Sequence, residues 1–335
     1  MKRSPTMKDV AREAGVSVMT VSRAFKDDAS VGEKTREKIR KTADGLGYVF
    51  DITAANLRSQ RSDFVAVTIP SLNNANFAAT VVALTTKLSD AGYQVLLGHS
   101  NYDMEKEEAL IRQFLRRRPE AIVVTGGHHT DAARKLLSES GGPVIESWDA
   151  PPDPIGHVVG FSNAATMDLV VDHLVSLGRR KIAFMGGDAD SDTRGRDRRA
   201  GFLAAMARHG LDPHRLVGSG APQKAMQEGA EAMGRLLEAH PATDALICVS
   251  DLEGFGALSE CQRRGIKVPD QIAMAGFGAY DISEVCVPNL TTVDPMPTKI
   301  GENAADLVLQ LLKDPTAKGN VMITPTLRLA QSTGA

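Results

Sequence analysis

Apolar residues recur along this chain in two rhythms, and the change between them divides it. Near the N-terminus the spacing is helical. Val10, Ala11 and Ala14 form one stripe behind Thr6, whose side-chain oxygen suits an N-cap. Gly15 predicts the end of that helix, because a residue without Cβ enters the left-handed region freely. Ser17 is placed to cap a second helix with Val21, Ala24 and Phe25 on its buried face. A third helix is expected from Glu33 to Leu46, with Ile39, Ala43 and Leu46 on one side and Gly47 as its stop. Its Lys34, Arg36, Lys38, Arg40 and Lys41 read as a solvated face, some of it able to touch phosphates.

From Phe64 onward the pattern alternates between short apolar runs and amphipathic stretches. Strands are predicted at Phe64 to Ile69, Tyr93 to Leu97 and Ala121 to Thr125, with helices over Ala75 to Ala91 and Asp103 to Arg117. The second half repeats this with strands at Lys181 to Met185, Ala245 to Val249 and Ile272 to Gly276. Such alternation implies an α/β body of parallel sheets wrapped by helices. About 270 residues exceed what one open sheet of this kind holds, so two stacked subdomains are expected.

Two short helices around a glycine turn form the helix-turn-helix pattern, whose second helix presents its N-terminal residues to base edges in the major groove. Here those are Val18, Met19 and, one turn on, Ser22 and Arg23. Val18 and Met19 suit thymine methyl groups, and Arg23 suits guanine or a phosphate. The competing reading is a helical hairpin without a DNA role.

Charge sharpens this division. The chain has 335 residues and a formal net charge of −2, but residues 1–60 hold 12 Lys/Arg against 8 Asp/Glu, and the remainder holds 27 against 33. A basic head on an acidic body fits a protein that brings only its head to a phosphate backbone. Cys248, Cys261 and Cys286 lack disulfide or metal spacing, which points to a reducing compartment. The first ten residues are polar and basic, without the apolar core of a secretory signal, and no apolar run is long enough to span a membrane. A cytoplasmic protein is therefore expected.

The string Met7-Lys-Asp-Val-Ala-Arg-Glu-Ala-Gly-Val-Ser17, followed by Thr20-Val-Ser-Arg23, resembles the signature of the lactose-repressor (LacI/GalR) family of bacterial regulators. Thr35-Arg36 and Leu46-Gly47-Tyr48 also fall where that family has them, and the resemblance runs through the rest of the chain. It implies a three-helix DNA-binding headpiece over 1–50, with Thr6 and Thr20 joining Val18, Met19, Ser22 and Arg23 against the DNA. It implies a hinge helix within 51–60, where Asn56 and Leu57 meet the minor groove and Leu57 wedges between central base pairs. An apolar wedge unstacks a step at a cost of a few kcal/mol and bends the duplex into more contact. Phe50-Asp51 and Ala54-Ala55 depart from the usual residues before that leucine, although Asp51 is placed to cap the hinge. The resemblance further implies a periplasmic-binding-protein-like body over 61–335. One subdomain would take about 61–161 plus 293–321, and the other about 162–292 plus 322–335.

Ligands in open α/β sheets bind outside the carboxyl ends of strands, so the sensor site is sought there. Those segments carry Asn76, Phe77, His128, Trp148, Ser162, Ser250, Asp251 and Asp281. The family's ligand arginine, in its Arg-x-Ala-Gly-aromatic motif, falls on Arg198, and its strand-end Asn/Asp pair falls on Ser250-Asp251. Phe77 is also a family pocket position. The family often has Asp where this chain has Gly278; either Asp281 substitutes or the contact is missing. Pro70-Ser-Leu72, Val159 to Asn163, Glu260 to Pro269 and Gly276-Phe277 with Asp281-Ile282 are similar to the gluconate-repressor subgroup. That implies a sugar-acid effector such as gluconate, whose carboxylate suits a planar guanidinium.

Each position has a plainer reading. His128-His129 lacks an evident third metal ligand, and adjacent residues chelate one ion poorly. Trp148 either stacks on a sugar face or closes the subdomain edge. The charged run Asp188 to Arg199 has the composition of a solvated loop, and the Gly126-Gly127 and Gly186-Gly187 pairs fit tight turns better than phosphate cradles. No catalytic, metal or cofactor pattern emerges. The expected protein is a dimeric, effector-controlled repressor on a pseudo-palindromic operator. A neutral-sugar sensor, a sugar-binding transport protein or an enzyme on sugar phosphates are the alternatives. The tail after Thr326 has no leucine heptads that would build a tetramer.

Overall fold

The structure, a computed structural model, describes residues 4–25, 30–50, 62–220 and 225–334. Its contacts divide the chain into two units, 1–62 and 63–335.

The first unit contains α1 (Met7–Ala14), α2 (Val18–Phe25) and α3 (Glu33–Leu46). Thr6 is the N-cap of α1, and the Asp9 carboxylate accepts from its backbone N–H at 2.9 Å and its hydroxyl at 2.7 Å. Gly15 ends the helix at φ 65°, donating to the carbonyls of Ala11 and Arg12. Ser17 Oγ accepts from the Thr20 amide at 3.0 Å and so starts α2. Val10, Ala14, Val21, Ala24 and Ile39 are fully buried together, and Phe25 stacks on Phe50 with ring centroids 4.9 Å apart. Arg36 corrects the expectation of a solvated basic face. It is buried, with a guanidinium N–H donating to the Val31 carbonyl at 3.1 Å, and so ties α3 to the chain before it. The hinge at 51–60, with Asn56 and Leu57, lies outside the described residues.

The second unit is built on two six-stranded sheets. The first has the order β11-β5-β4-β3-β1-β2, from β1 (Phe64–Ile69), β2 (Gln94–His99), β3 (Ala121–Thr125), β4 (Val144–Ser147), β5 (His157–Gly160) and β11 (Val321–Met322). The second has the order β12-β10-β9-β8-β6-β7, from β6 (Ile182–Met185), β7 (Leu216–Val217), β8 (Ala245–Cys248), β9 (Ala273–Phe277), β10 (Thr291–Asp294) and β12 (Thr326–Arg328). All pairings are parallel except β10 with β12. Strands covered on both faces read as continuous apolar runs, and β3 and β9 are buried throughout.

The chain passes between these lobes three times: after β5, after β10 and after β11. Asp294 therefore still belongs to the second lobe, and Met322 to the first. Between the last two passes, α12 (Pro297–Lys313) returns to lie on α4 (Ala75–Asp90). Gly301 permits that approach, because a Cβ there would sit 2.2 Å from the Thr80 carbonyl oxygen. The strand ends of both sheets thus face one cleft. Among the described residues no helix is long and apolar enough to cross a membrane.

Candidate functional site

A cavity lies between the lobes at those strand ends, with an empty volume of about 630 Å³ that includes open solvent. Asn74 and Asn76 reach it from the loop after β1 and the first turn of α4, and Tyr102 from the loop after β2. Trp148 follows β4. From the second lobe come Asp192, Arg194 and Arg198 at the start of α8 (Thr193–Arg208), Ser250 and Glu253 after β8, Phe277 at the end of β9 and Tyr280 after it.

Aromatic packing shapes the walls. Trp148 meets Phe77 edge-on at 5.2 Å and Phe161 at 6.2 Å between centroids. Its indole N–H is spent on Thr80 Oγ1 at 3.2 Å, so Trp148 contributes shape and both closes the lobe and lines the cavity. The Arg194 guanidinium lies 5.3 Å from the centre of the Phe77 ring, and that of Arg198 lies 4.2 Å from that of Phe277. The two arginines are four residues apart on α8 and so project on one face. Asp192 caps this helix through the Gly195 amide at 3.1 Å.

Arg198 donates to Asn163 Oδ1 at 2.8 Å, but its Nε is buried without a hydrogen-bond partner. Burial and the neighbouring Arg194 press its pKa down, against the pull of Asp192. Glu253 lines the same cavity, accepting from Ser219 Oγ at 2.6 Å. Burial lifts its carboxyl to about 8, so it is mostly neutral at pH 7. With that acid neutral, the cavity carries two guanidiniums against Asp192.

Direct contacts already join the lobes here. Asn76 Nδ2 donates to the Gly278 carbonyl at 2.9 Å, and Arg194 Nη1 reaches the Thr125 carbonyl at 3.5 Å. Gly278 adopts φ 129°, and a Cβ on it would fall 2.2 Å from the Tyr280 ring. The tyrosine thus fills the space into which a side chain at 278 would extend.

The structure brings Asn76, Phe77, Trp148, Arg198 and Ser250 to this cavity and leaves four other expected residues outside its lining. Asp251 lies beneath it, fully buried, accepting from the Tyr280 amide at 2.9 Å and from Thr292 Oγ1 at 2.6 Å. It anchors the loop after β9, and burial raises its carboxyl to about 6. Asp281 is exposed at the start of α11 (Asp281–Val285), so it does not replace a side chain at 278; Tyr280 holds that space. His128 and Ser162 line a neighbouring recess at the cleft rim with Asp149 and Asp197. Asn74, Tyr102, Asp192, Arg194, Glu253 and Tyr280 were not singled out in the sequence. The i, i+4 spacing of Arg194 and Arg198 on a capped helix was the one available signal.

The two adjacent histidines part company. His129 turns inward, its side chain fully buried, with Nδ1 2.7 Å from Glu107 and Nε2 3.7 Å from Glu146. Burial pulls its pKa down, but the two carboxylates outweigh that and raise it to about 9. His128 turns outward to Asp197, 3.5 Å away, with Asp149 close by. The two histidines therefore do not share one site.

In the second helix of the headpiece, Val18 and Met19 are 41% and 54% exposed while Val21 and Ala24 are fully buried. Apolar side chains on the open face of a helix this small have no packing role within it.

Residues 6–50 match the bacterial regulatory proteins of the lacI family, and residues 171–333 match a periplasmic binding protein-like domain. The HTH-type transcriptional regulator GntR of Pseudomonas aeruginosa is 37% identical over 92% of this chain and 89% of its own. This chain belongs to the lacI family. It is a DNA-binding transcriptional regulator and not an enzyme. Its fold is also that of family members of known structure. A LacI-family regulator from Silicibacter pomeroyi superposes with a TM-score of 0.91 at 31% identity, over 98% of this chain and 99% of that one. The lac repressor dimer bound to operator and the anti-inducer ONPF gives 0.88 at 25% identity, over 99% of this chain and all of that one.

Proposed function

We propose that this lacI-family regulator is a cytoplasmic homodimeric repressor of sugar-acid catabolism, released from a pseudo-palindromic operator by a sugar acid such as gluconate. The observation that carries the effector class is the pair of buried Arg194 and half-buried Arg198 in a cleft where the buried Arg198 Nε has no hydrogen-bond partner and Glu253 is mostly neutral. A carboxylate supplies the missing acceptor and the missing charge. The hydroxyls of a polyol chain match Asn74, Ser250, Tyr102 and Tyr280 around it. The similarity to a regulator named GntR and the sequence pieces of the gluconate-repressor subgroup support the same class. The lac repressor neighbour, solved as a dimer, and the need to read two half-sites support the dimer. DNA contacts are assigned to Thr6, Val18, Met19, Thr20, Ser22 and Arg23.

The test is fluorescence anisotropy with a palindrome from the protein's own promoter region, at fixed salt, with and without gluconate. Salt is held because phosphate contacts make affinity steeply salt-dependent. Specific binding that millimolar or lower gluconate weakens is the expected result. Specific binding indifferent to gluconate but released by another sugar acid keeps the class and changes its member; release only by neutral sugars overturns the acid reading.

A further inference from the structure

We propose that the cleft rim is a binding site for a divalent transition-metal ion, formed by His128 and Asp149 of the first lobe and Asp197 of the second, that fastens the lobes together. One ligand atom from each of these residues lies within 4.8 Å of the other two. Four-coordinate zinc with bonds of about 2.0–2.2 Å sets its donors about 3.4 Å apart. His128 Nε2 and Asp197 Oδ2, at 3.5 Å, already have that separation. The remaining donor, on Asp149, lies within 4.8 Å of both and has up to about 1.4 Å to close.

Three separate segments deliver these groups. His128 follows β3, where Gly127 passes so close to Pro151 that a Cβ would lie 2.7 Å from its ring. Asp149 follows β4 and is buried, its carboxylate aimed by the Gly127 amide at 3.2 Å and the Ala150 amide at 2.8 Å. Asp197 sits in the second turn of α8. Among the described residues, neither carboxylate has a lysine or arginine at ion-pair distance; the nearby Arg134 is committed to Asp153 at 2.6 Å. Two carboxylates therefore converge with only one imidazole between them. An N,O,O donor set with room for water suits zinc or manganese rather than calcium, which needs six or more oxygens.

The ligands come from both lobes, so the ion binds only when the cleft is shut. It therefore favours the closed arrangement by its differential affinity. The site does not depend on the identity of the effector, since none of its three ligands lines the inner cavity.

The full-length protein, stripped with a chelator and dialysed, is titrated with ZnCl2 and MnCl2 by calorimetry and with CoCl2 by its visible absorption. One saturable site per chain is expected, with a cobalt spectrum of mixed nitrogen and oxygen ligation and a raised melting temperature. His128→Gln and Asp197→Asn should each weaken binding at least tenfold, while the metal-free melting temperature stays at that of the parent. Both side chains are partly exposed, so neither change threatens folding. Absence of saturable binding below about 100 µM for every ion, or binding equally tight in both variants, overturns the proposal.

Discussion

Glu253 is the residue on which the chemistry of the cleft turns. An acid with a raised pKa adds its share of folded stability at low pH and loses it as pH rises through the folded value. Between the ordinary 4.5 and about 8 the folded protein holds this proton more tightly than the unfolded chain does. Above 8 the carboxylate ionises beside Arg198 and cancels positive charge that an anionic effector would meet. Gluconate affinity should therefore be flat from pH 6 to 7 and fall as pH rises through 8. A unit charge about 8–10 Å away is worth about 2 kcal/mol at an effective dielectric of 20, or more than tenfold in affinity. Glu253→Gln keeps the hydrogen-bonding shape without the titration, so its affinity at pH 7 should match the parent and its alkaline decline should vanish. Calorimetric titration across pH 6–9 makes the comparison; a decline that persists in Glu253→Gln would place the titrating group elsewhere. None of this was legible locally, because Ser219 and Arg198, which define the environment of Glu253, come from other elements. His129 is similar: its flanking acids sit 22 and 17 positions away in sequence, so an inward-facing imidazolium looked like half of an adjacent pair.

Elements were legible wherever one local rule was sufficient. Glycine stops, a threonine cap and a helical stripe specified the headpiece, and buried strands such as Ala121–Thr125 betrayed themselves as continuous apolar runs. The places where reading failed are those where long-range packing decides. Arg36 has a solvated-looking position but spends its guanidinium on Val31, and Asp281 sits close to the cleft in sequence yet starts a helix that faces solvent. For α2 the pattern and the packing agree, and they separate two jobs on one helix. Val21 and Ala24 hold it in the headpiece, while Met19 and Val18 stay open. Met19→Ala removes an exposed side chain, so stability should change by no more than about 0.5 kcal/mol. Operator affinity should fall by about 1 kcal/mol or more, roughly fivefold, if Met19 meets a base. The loss should be confined to the matching base pair, whereas a phosphate contact would weaken all sequences alike and change the salt slope. Thermal melts and anisotropy on single-base operator variants distinguish the two; equal weakening on every variant would remove Met19 from base readout.

At the scale of the whole molecule, two protein contacts bridge the lobes across the cleft, Asn76 on Gly278 and Arg194 on Thr125. An effector that merely filled the cavity would leave the balance of states unchanged, because a ligand shifts an equilibrium only by its difference in affinity for the two forms. The proposed release of DNA thus requires that gluconate bind the DNA-free state more tightly, and linkage then dictates a second effect of equal size. Whatever factor saturating gluconate takes from operator affinity, bound operator must take from gluconate affinity, divided over the two cleft sites of the proposed dimer. Couplings of this kind typically amount to about 5–150-fold. Calorimetric titration of gluconate into the protein alone and into the protein saturated with operator should give per-site dissociation constants whose ratio, squared for the two sites of the proposed dimer, equals the operator ratio from anisotropy. Equality would mean that one pair of global states serves both sites. A gluconate constant that ignores the operator, beside an operator constant that responds to gluconate, is thermodynamically barred for a single binding site in the cleft, and would show that gluconate acts on the headpiece or the DNA instead.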